Sequence, residues 1–161
     1  MKMLLPGADG FSVSDASVSF SGRLIGGCLD ILTLLCGTPY GKASEFAEKY
    51  KDDGIIWFME ACDLSPLSIR RALWQMESAG WFKHVKGFLI GRSARFGEEQ
   101  MGMDTYLAYT GILSKYNVPI LLDIDLGHLP PMMPIISGAM ADVTAKLQAG
   151  VPSLKLDYRL E

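Results

Sequence analysis

The sequence predicts an α/β domain, a mixed sheet with helices packed on it and a β-hairpin at the carboxy terminus. Three observations carry that expectation. The short, continuously apolar run at 55–59 and the largely apolar runs at 85–90 and 118–124 suit strands covered on both faces. Segments with helical signals separate them. Two alternating runs then close the chain, Ala141, Val143, Ala145, Leu147 and Leu154, Leu156, Tyr158, Leu160.

Each element has a local reason. Residues 1–17, rich in Gly, Ser and Asp from position 6, read as an amino-terminal linker, and 18–161 as one domain. Val18 and Phe20 alternate with serines, the pattern of a half-buried strand. Gly22, Gly26 and Gly27 read as a tight strand-to-helix turn, and the apolar run Leu29–Leu35 as a helix ending near Gly37. Residues 38–53 read as a loop with one short helix. Ser65-Pro66 opens the clearest helix, because Ser caps well and Pro suits the first helical position. Ile69, Leu73 and Met76 recur at helical spacing, and Gly80 stops it. Residues 100–116 read as another helix ending at Asn117. The closing strands are expected to join at Gly150-Val151-Pro152.

Composition narrows the function. The 161 residues carry 15 Lys+Arg against 18 Asp+Glu, a net charge of −3, which argues against binding nucleic acid by phosphate neutralisation and against a polybasic membrane patch. Apolar residues are 49% and charged ones 20%, globular rather than disordered composition. No run approaches the 18 or so apolar residues of a membrane-spanning helix. Cys28, Cys36 and Cys62 make an odd count with no CxxC pair, which reads as reduced thiols in a cytoplasmic protein.

Two residues stand where an α/β sheet places a ligand, beyond the carboxyl ends of its strands. Glu60 follows the apolar run 55–59, and His128 follows 118–124 by one short turn. A carboxylate there can orient an imidazole and stabilise its cation. The plainer alternative is that Glu60 ends a strand and His128 sits in a turn. Asp123, Asp125 and His128 form a D-x-D-x-x-H run, a weaker alternative that reads as a divalent-metal site of a hydrolase. The glycines at 22, 26 and 27 fit neither phosphate-binding fingerprint. Ser12 and Ser14 lack the strand and helix a nucleophile elbow needs. Trp57, Trp74 and Trp81 read as core and core-edge aromatics, and His84 as a surface residue. Of Arg70 and Arg71, at most one can face a site.

Several motifs, taken together, resemble the LD-carboxypeptidases, a family that includes the microcin self-immunity peptidases. Gly22-Arg23-Leu24-Ile25-Gly26-Gly27-Cys28-Leu29 is similar to that family's G-x-L-x-G-G-N-L, and Cys36-Gly37-Thr38-Pro39 to its following G-T. Ile56–Glu60 resembles its strand ending in the catalytic Glu, Ile69–Leu73 and Met76–Gly80 its next helix, and Gly87–Gly91 its next strand. Asp125-Leu126-Gly127-His128 resembles its G-H, where the catalytic His stands. The 68-residue interval from Glu60 to His128 is about what the family uses. The match runs over residues 18–147.

The resemblance implies a serine hydrolase with a Ser-His-Glu triad and no cofactor. Its substrate would be a muropeptide-like peptide, cleaved between an L-centre and a terminal D-amino acid. His128 would be general base and acid, with Glu60 orienting it. Cys28 stands where the family commonly has Asn. The family carries its Ser nucleophile and oxyanion hole in an amino-terminal domain that nothing here matches, so the chain resembles the carboxy-terminal half alone. Such a half is expected to be inactive by itself. It is also expected to expose an apolar face around Phe11 and Pro130–Met133 and to self-associate, as a homodimer, through it. The rival reading is a stand-alone binding module on the same fold.

Overall fold

In the computed structural model, which describes residues 1–12 and 14–160, the chain is organised by one long strand, β2 (Ala16–Cys28). Positions 13 and 161, in the expected linker and at the end of the expected domain, lie outside the described residues. The first half of β2 pairs antiparallel with β8 (Met140–Gln148); its second half pairs parallel with β3 (Ile55–Glu60). Arg23 is the pivot, opposite Met140 on one side and Ile55 on the other. The glycines at 26 and 27 are therefore not a strand-to-helix turn. They carry the strand onward, and a Cβ at Gly26 would collide with the Phe58 carbonyl, so only glycine permits this approach.

The sheet order is β1-β7-β4-β3-β2-β8-β9, with β1 (Lys2–Leu4), β4 (Val85–Gly91), β7 (Ile120–Ile124) and β9 (Val151–Arg159). β2, β3, β4 and β7 run parallel, and β1, β8 and β9 antiparallel to their neighbours. The expected mixed α/β sheet is thus borne out. Lys2–Leu4, inside the stretch read as linker, forms an edge strand against β7 because buried Met3 inserts among Leu89, Leu121 and Ile124. The closing hairpin turns at Ala149-Gly150 rather than at 150–152. Both residues have positive φ, the two-residue geometry that matches strand twist.

The central strands are apolar on both faces because both are covered. Ile55, Trp57 and Met59 face the layer of α1 (Leu29–Leu35), α2 (Ala43–Lys49), α3 (Pro66–Ser78) and α4 (Thr105–Leu113). Ile56 faces the other side, where the curled sheet packs on itself through Leu24, Leu121, Ala141 and Val143. Each large side chain fully buried here contributes about 1.5–3 kcal/mol. Trp57 and Trp81 are buried and stacked, but Trp74 is 62% exposed, so it is not a core residue.

α3 starts as expected: Ser65 caps it, accepting from the Ser68 amide, with Pro66 at its first turn. α4 starts later than expected. Residues 99–104 instead form a small hairpin, β5 (Glu99–Gln100) and β6 (Met103–Asp104). Asp104 then caps α4 by accepting from the Leu107 amide at 2.7 Å. Arg70 locks α3 to α4 by donating to the carbonyls of Ala108 and Leu107, with Gly111 leaving room for its guanidinium.

Candidate functional site

The carboxyl ends of the four parallel strands form one edge, and the chemistry gathers there. β2 ends at Cys28 and β3 at Glu60, and these two are direct partners in the register, so their side chains share a face. β4 ends at Gly91. Beyond β7 the chain turns through Leu126 and Gly127 to deliver His128 to the same edge.

Glu60 is 2% exposed, and His128 reaches it from solvent: Nδ1 lies 2.8 Å from Glu60 Oε1. A carboxylate only accepts, so Nδ1 carries the proton and donates it. The imidazole side chain is 55% exposed, which leaves its other nitrogen accessible. Glycines make room for the carboxylate. Gly127 adopts φ +101, and a Cβ there would lie 2.8 Å from Glu60 Cδ; a Cβ at Gly91 would lie 2.8 Å from Glu60 Cβ.

Glu60 Oε2 and the buried Tyr109 hydroxyl have no hydrogen-bond partner among the described residues. The Cys28 thiol is pushed up from 9.0 to about 11, first by burial and also by the neighbouring Glu60 and Asp30 carboxylates. Burial, then Glu60, Asp30 and Cys28, likewise raise Tyr109 well above the usual range. Asp30, in the first turn of α1, accepts from the amides of Cys62 and Asp63 at 3.0 and 2.9 Å, tying the segment after β3 to the start of α1. One atom each of Cys28, Glu60 and His128 lie within 4.8 Å of one another.

The family model for the LD-carboxypeptidase C-terminal domain matches residues 21–143. The chain belongs to that family. It is a domain of serine peptidases. Among solved structures the chain is similar to muramoyltetrapeptide carboxypeptidase from Oxalobacter formigenes, with 23% identity, TM-score 0.65, and 92% of this chain and 52% of that one covered. It is similar to the microcin C7 self-immunity protein MccF in complex with aspartyl sulfamoyl adenosine, with 22% identity, TM-score 0.62, and 81% and 37% covered. An MccF-like protein from Streptococcus pneumoniae in complex with AMP gives 20% identity, TM-score 0.56, and 92% and 45% covered. At these identities the likeness is one of fold. The chain spans about half, or less, of the length of these structures. No curated protein matches the sequence.

Within this LD-carboxypeptidase C-terminal domain, the D-x-D-x-x-H residues do not assemble. Asp123 sits at φ +57, off the regular strand path, and accepts from the Tyr106 hydroxyl at 2.7 Å. Exposed Asp125 pairs with Arg92 at 3.3 Å. Among the described residues neither joins His128 in a potential ligand cluster. A cavity of about 350 Å³, lined by Arg92, Ser93, Phe96, Tyr106, Asp123 and Leu129, opens at the residue following His128. Of the expected apolar patches, Met132 is 59% exposed, whereas Phe11 is partly buried edge-on against Tyr106. Other exposed apolar side chains lie on the helical layer: Ile31, Leu34, Trp74 and Leu107. Among the described residues no helix is long and apolar enough to cross a membrane. Sequence reasoning missed that Cys28 adjoins Glu60; the signal is that both end neighbouring parallel strands, which only the register reveals.

Proposed function

We propose that this chain is the carboxy-terminal half of a serine LD-carboxypeptidase, with His128 as general base and acid and Glu60 as the residue that orients it. The observation that carries the reading is the 2.8 Å contact between an accessible imidazole and a buried carboxylate at the carboxyl edge of the parallel strands. Glu60 accepts a hydrogen bond from Nδ1–H, which fixes the tautomer and leaves the Nε2 lone pair free. That nitrogen accepts the proton of a serine hydroxyl as it attacks the peptide carbonyl. The imidazolium formed sits against a buried carboxylate, then returns the proton to the departing D-amino acid.

The nucleophile and the oxyanion donors come, in this reading, from the family's amino-terminal domain. Ser65 and Ser68 are engaged at the start of α3. The substrate class is a peptide ending in a D-amino acid, as in cytoplasmic muropeptide recycling or the detoxification of a related peptide. The cavity beside Leu129 is where its chain would lie.

The test is release of D-Ala from a tetrapeptide ending in D-Ala, measured for the chain alone and with the amino-terminal half of a relative added. The chain alone should release none. The mixture should turn over, and His128→Ala or Glu60→Gln should remove that turnover. A mixture whose activity is indifferent to both substitutions refutes the reading.

A further inference from the structure

The residue that departs from the family pattern, Cys28, is also the residue that turns the Glu60–His128 pair into a three-donor cluster. Sulfur, carboxylate oxygen and imidazole nitrogen lie within 4.8 Å of one another. Glu60 is 2% exposed, and its Oε2 has no hydrogen-bond partner among the described residues, a cost unless something positive meets it. Asp30 adds a further negative charge, its Oδ2 lying 3.5 Å from Cys28 Sγ. The half-exposed His128 leaves one side open to solvent.

We propose that Cys28, Glu60 and His128 form a mononuclear site for a borderline-soft divalent transition metal ion, best matched by Zn²⁺, with a fourth position open to water. Thiolate, imidazole and carboxylate are the three donor types zinc accepts, and three protein ligands with an open position is the exchangeable class of zinc site. Magnesium and calcium prefer all-oxygen shells, so the sulfur selects against them. Binding converts Cys28 from thiol to thiolate and releases that proton to solvent, while the His128 ring proton moves from Nδ1 to Nε2 so that the Nδ1 lone pair can ligate. The ion's two positive charges then balance one thiolate and the Glu60 carboxylate, with Asp30 left as one negative charge beside the sulfur.

The geometry needs only a small adjustment. Zinc bonds of about 2.0–2.3 Å arranged tetrahedrally place ligand atoms about 3.3–3.5 Å apart. The Glu60–His128 contact of 2.8 Å must open slightly and the sulfur side close from at most 4.8 Å. His128 can make that movement because it is exposed and follows Gly127. Cys28 and Glu60 are held by the β2–β3 register.

The inference does not rest on the peptidase reading, since it needs no nucleophile and no second domain. It draws on the same His128 and Glu60, however, so the metal-bound chain is not the form that would serve a serine; metal binding and D-Ala release are read out separately. The experiment uses the full chain, stripped of metal and reduced, titrated with Co²⁺ and then with Zn²⁺ against a chromophoric chelator. One equivalent of Co²⁺ should give a sulfur-to-cobalt charge-transfer band, bleached by one equivalent of Zn²⁺. Cys28→Ala should abolish the band, and it and Glu60→Gln should each weaken Zn²⁺ binding by more than the roughly 10–100-fold typical of an outer-shell partner. Cys28→Asn, which installs the family's common residue, should behave like Cys28→Ala while keeping the hydrogen bond between His128 and Glu60. Cys36→Ala and Cys62→Ala should leave band and affinity unchanged. No charge-transfer band, no stoichiometric Zn²⁺ binding, or a band that persists in Cys28→Ala and vanishes in Cys62→Ala would overturn the proposal. Circular dichroism of each variant separates lost ligands from lost fold; if Glu60→Gln unfolds, the Cys28 variants decide alone.

Discussion

Replacing Gly127 by alanine tests how the site is held. The residue has φ +101, where a side chain is strained, and its Cβ would collide with Glu60 Cγ and stand 2.8 Å from Cδ and 3.0 Å from Cβ. Glu60 has little room to retreat, because it is buried and a Cβ at Gly91 on the neighbouring strand would already lie 2.8 Å from its own Cβ. The backbone part should cost about 1–2 kcal/mol. Overpacking against a fixed neighbour adds about 1–3 kcal/mol. The total, about 2–5 kcal/mol, is a large share of the roughly 5–15 kcal/mol that holds a domain folded.

Gly102→Ala supplies the control. Gly102 also has positive φ, +77, but nothing lies within 4 Å of its missing Cβ, so it reports the backbone part alone. Urea unfolding should show a lower midpoint for both variants and a greater fall for Gly127→Ala. With a slope of about 2 kcal/mol per M, the extra 1–3 kcal/mol is about 0.5–1.5 M. The ring N–H proton of His128, held by Glu60 in the parent, should leave its hydrogen-bonded position in the NMR spectrum of Gly127→Ala and stay in Gly102→Ala. A Gly127→Ala loss no greater than that of Gly102→Ala, with the proton signal intact, refutes the claim that this glycine makes room for the carboxylate.

Two further outcomes follow from single residues. In the metal-free chain, burial holds Cys28 as a thiol up to about 11 rather than 9.0, so at pH 8 its thiolate fraction, and with it its alkylation rate, should be about 100-fold below that of the urea-unfolded chain. The rate should climb as pH rises through that interval, and a site-resolved iodoacetamide time course measures it; equal rates folded and unfolded contradict the burial argument. Asp104→Ala removes the cap that accepts from the Leu107 amide and should cost about 1 kcal/mol in the same urea assay, with Asp104→Ser recovering most of it.

The legible parts of the sequence were those in which side-chain pattern and burial agree. Ile55–Glu60 and Val85–Gly91 are apolar because both of their faces are covered, and α3 carries its cap, its proline and its stop within the chain. What escaped depends on partners far away in sequence. Lys2–Leu4 is too short for any periodicity and is a strand only because β7 offers an edge. Asp104 marks the start of α4 only in the structure, because the apolar and aromatic residues Met101, Met103, Tyr106 and Leu107 around it extend the helical reading back to residue 100. Asp123 breaks the strand alternation that would have set it beside Asp125, and its left-handed backbone has no signature in the residue type. The strand-end positions of Glu60 and His128 were readable, since a strand end is local. That Cys28 is Glu60's neighbour was not, since a register belongs to two strands at once.

The two adjacent glycines show how fold and site are joined. A segment such as Gly26-Gly27 has no side chains to alternate, so it reads as a turn, yet backbone pairing continues through it to Cys28 and Glu60. The Phe58 carbonyl occupies the volume a Cβ at Gly26 would need. Any other residue there would push β2 away from β3 before the strand reached the site edge. The pairing of Cys28 with Glu60 therefore rests on an absent methyl group two residues earlier. By the same logic the chemistry of position 28 is set by residue type alone. Thiol or amide, whatever side chain stands there is delivered by the register to the same face as the buried carboxylate, against which His128 closes from the far side of β4.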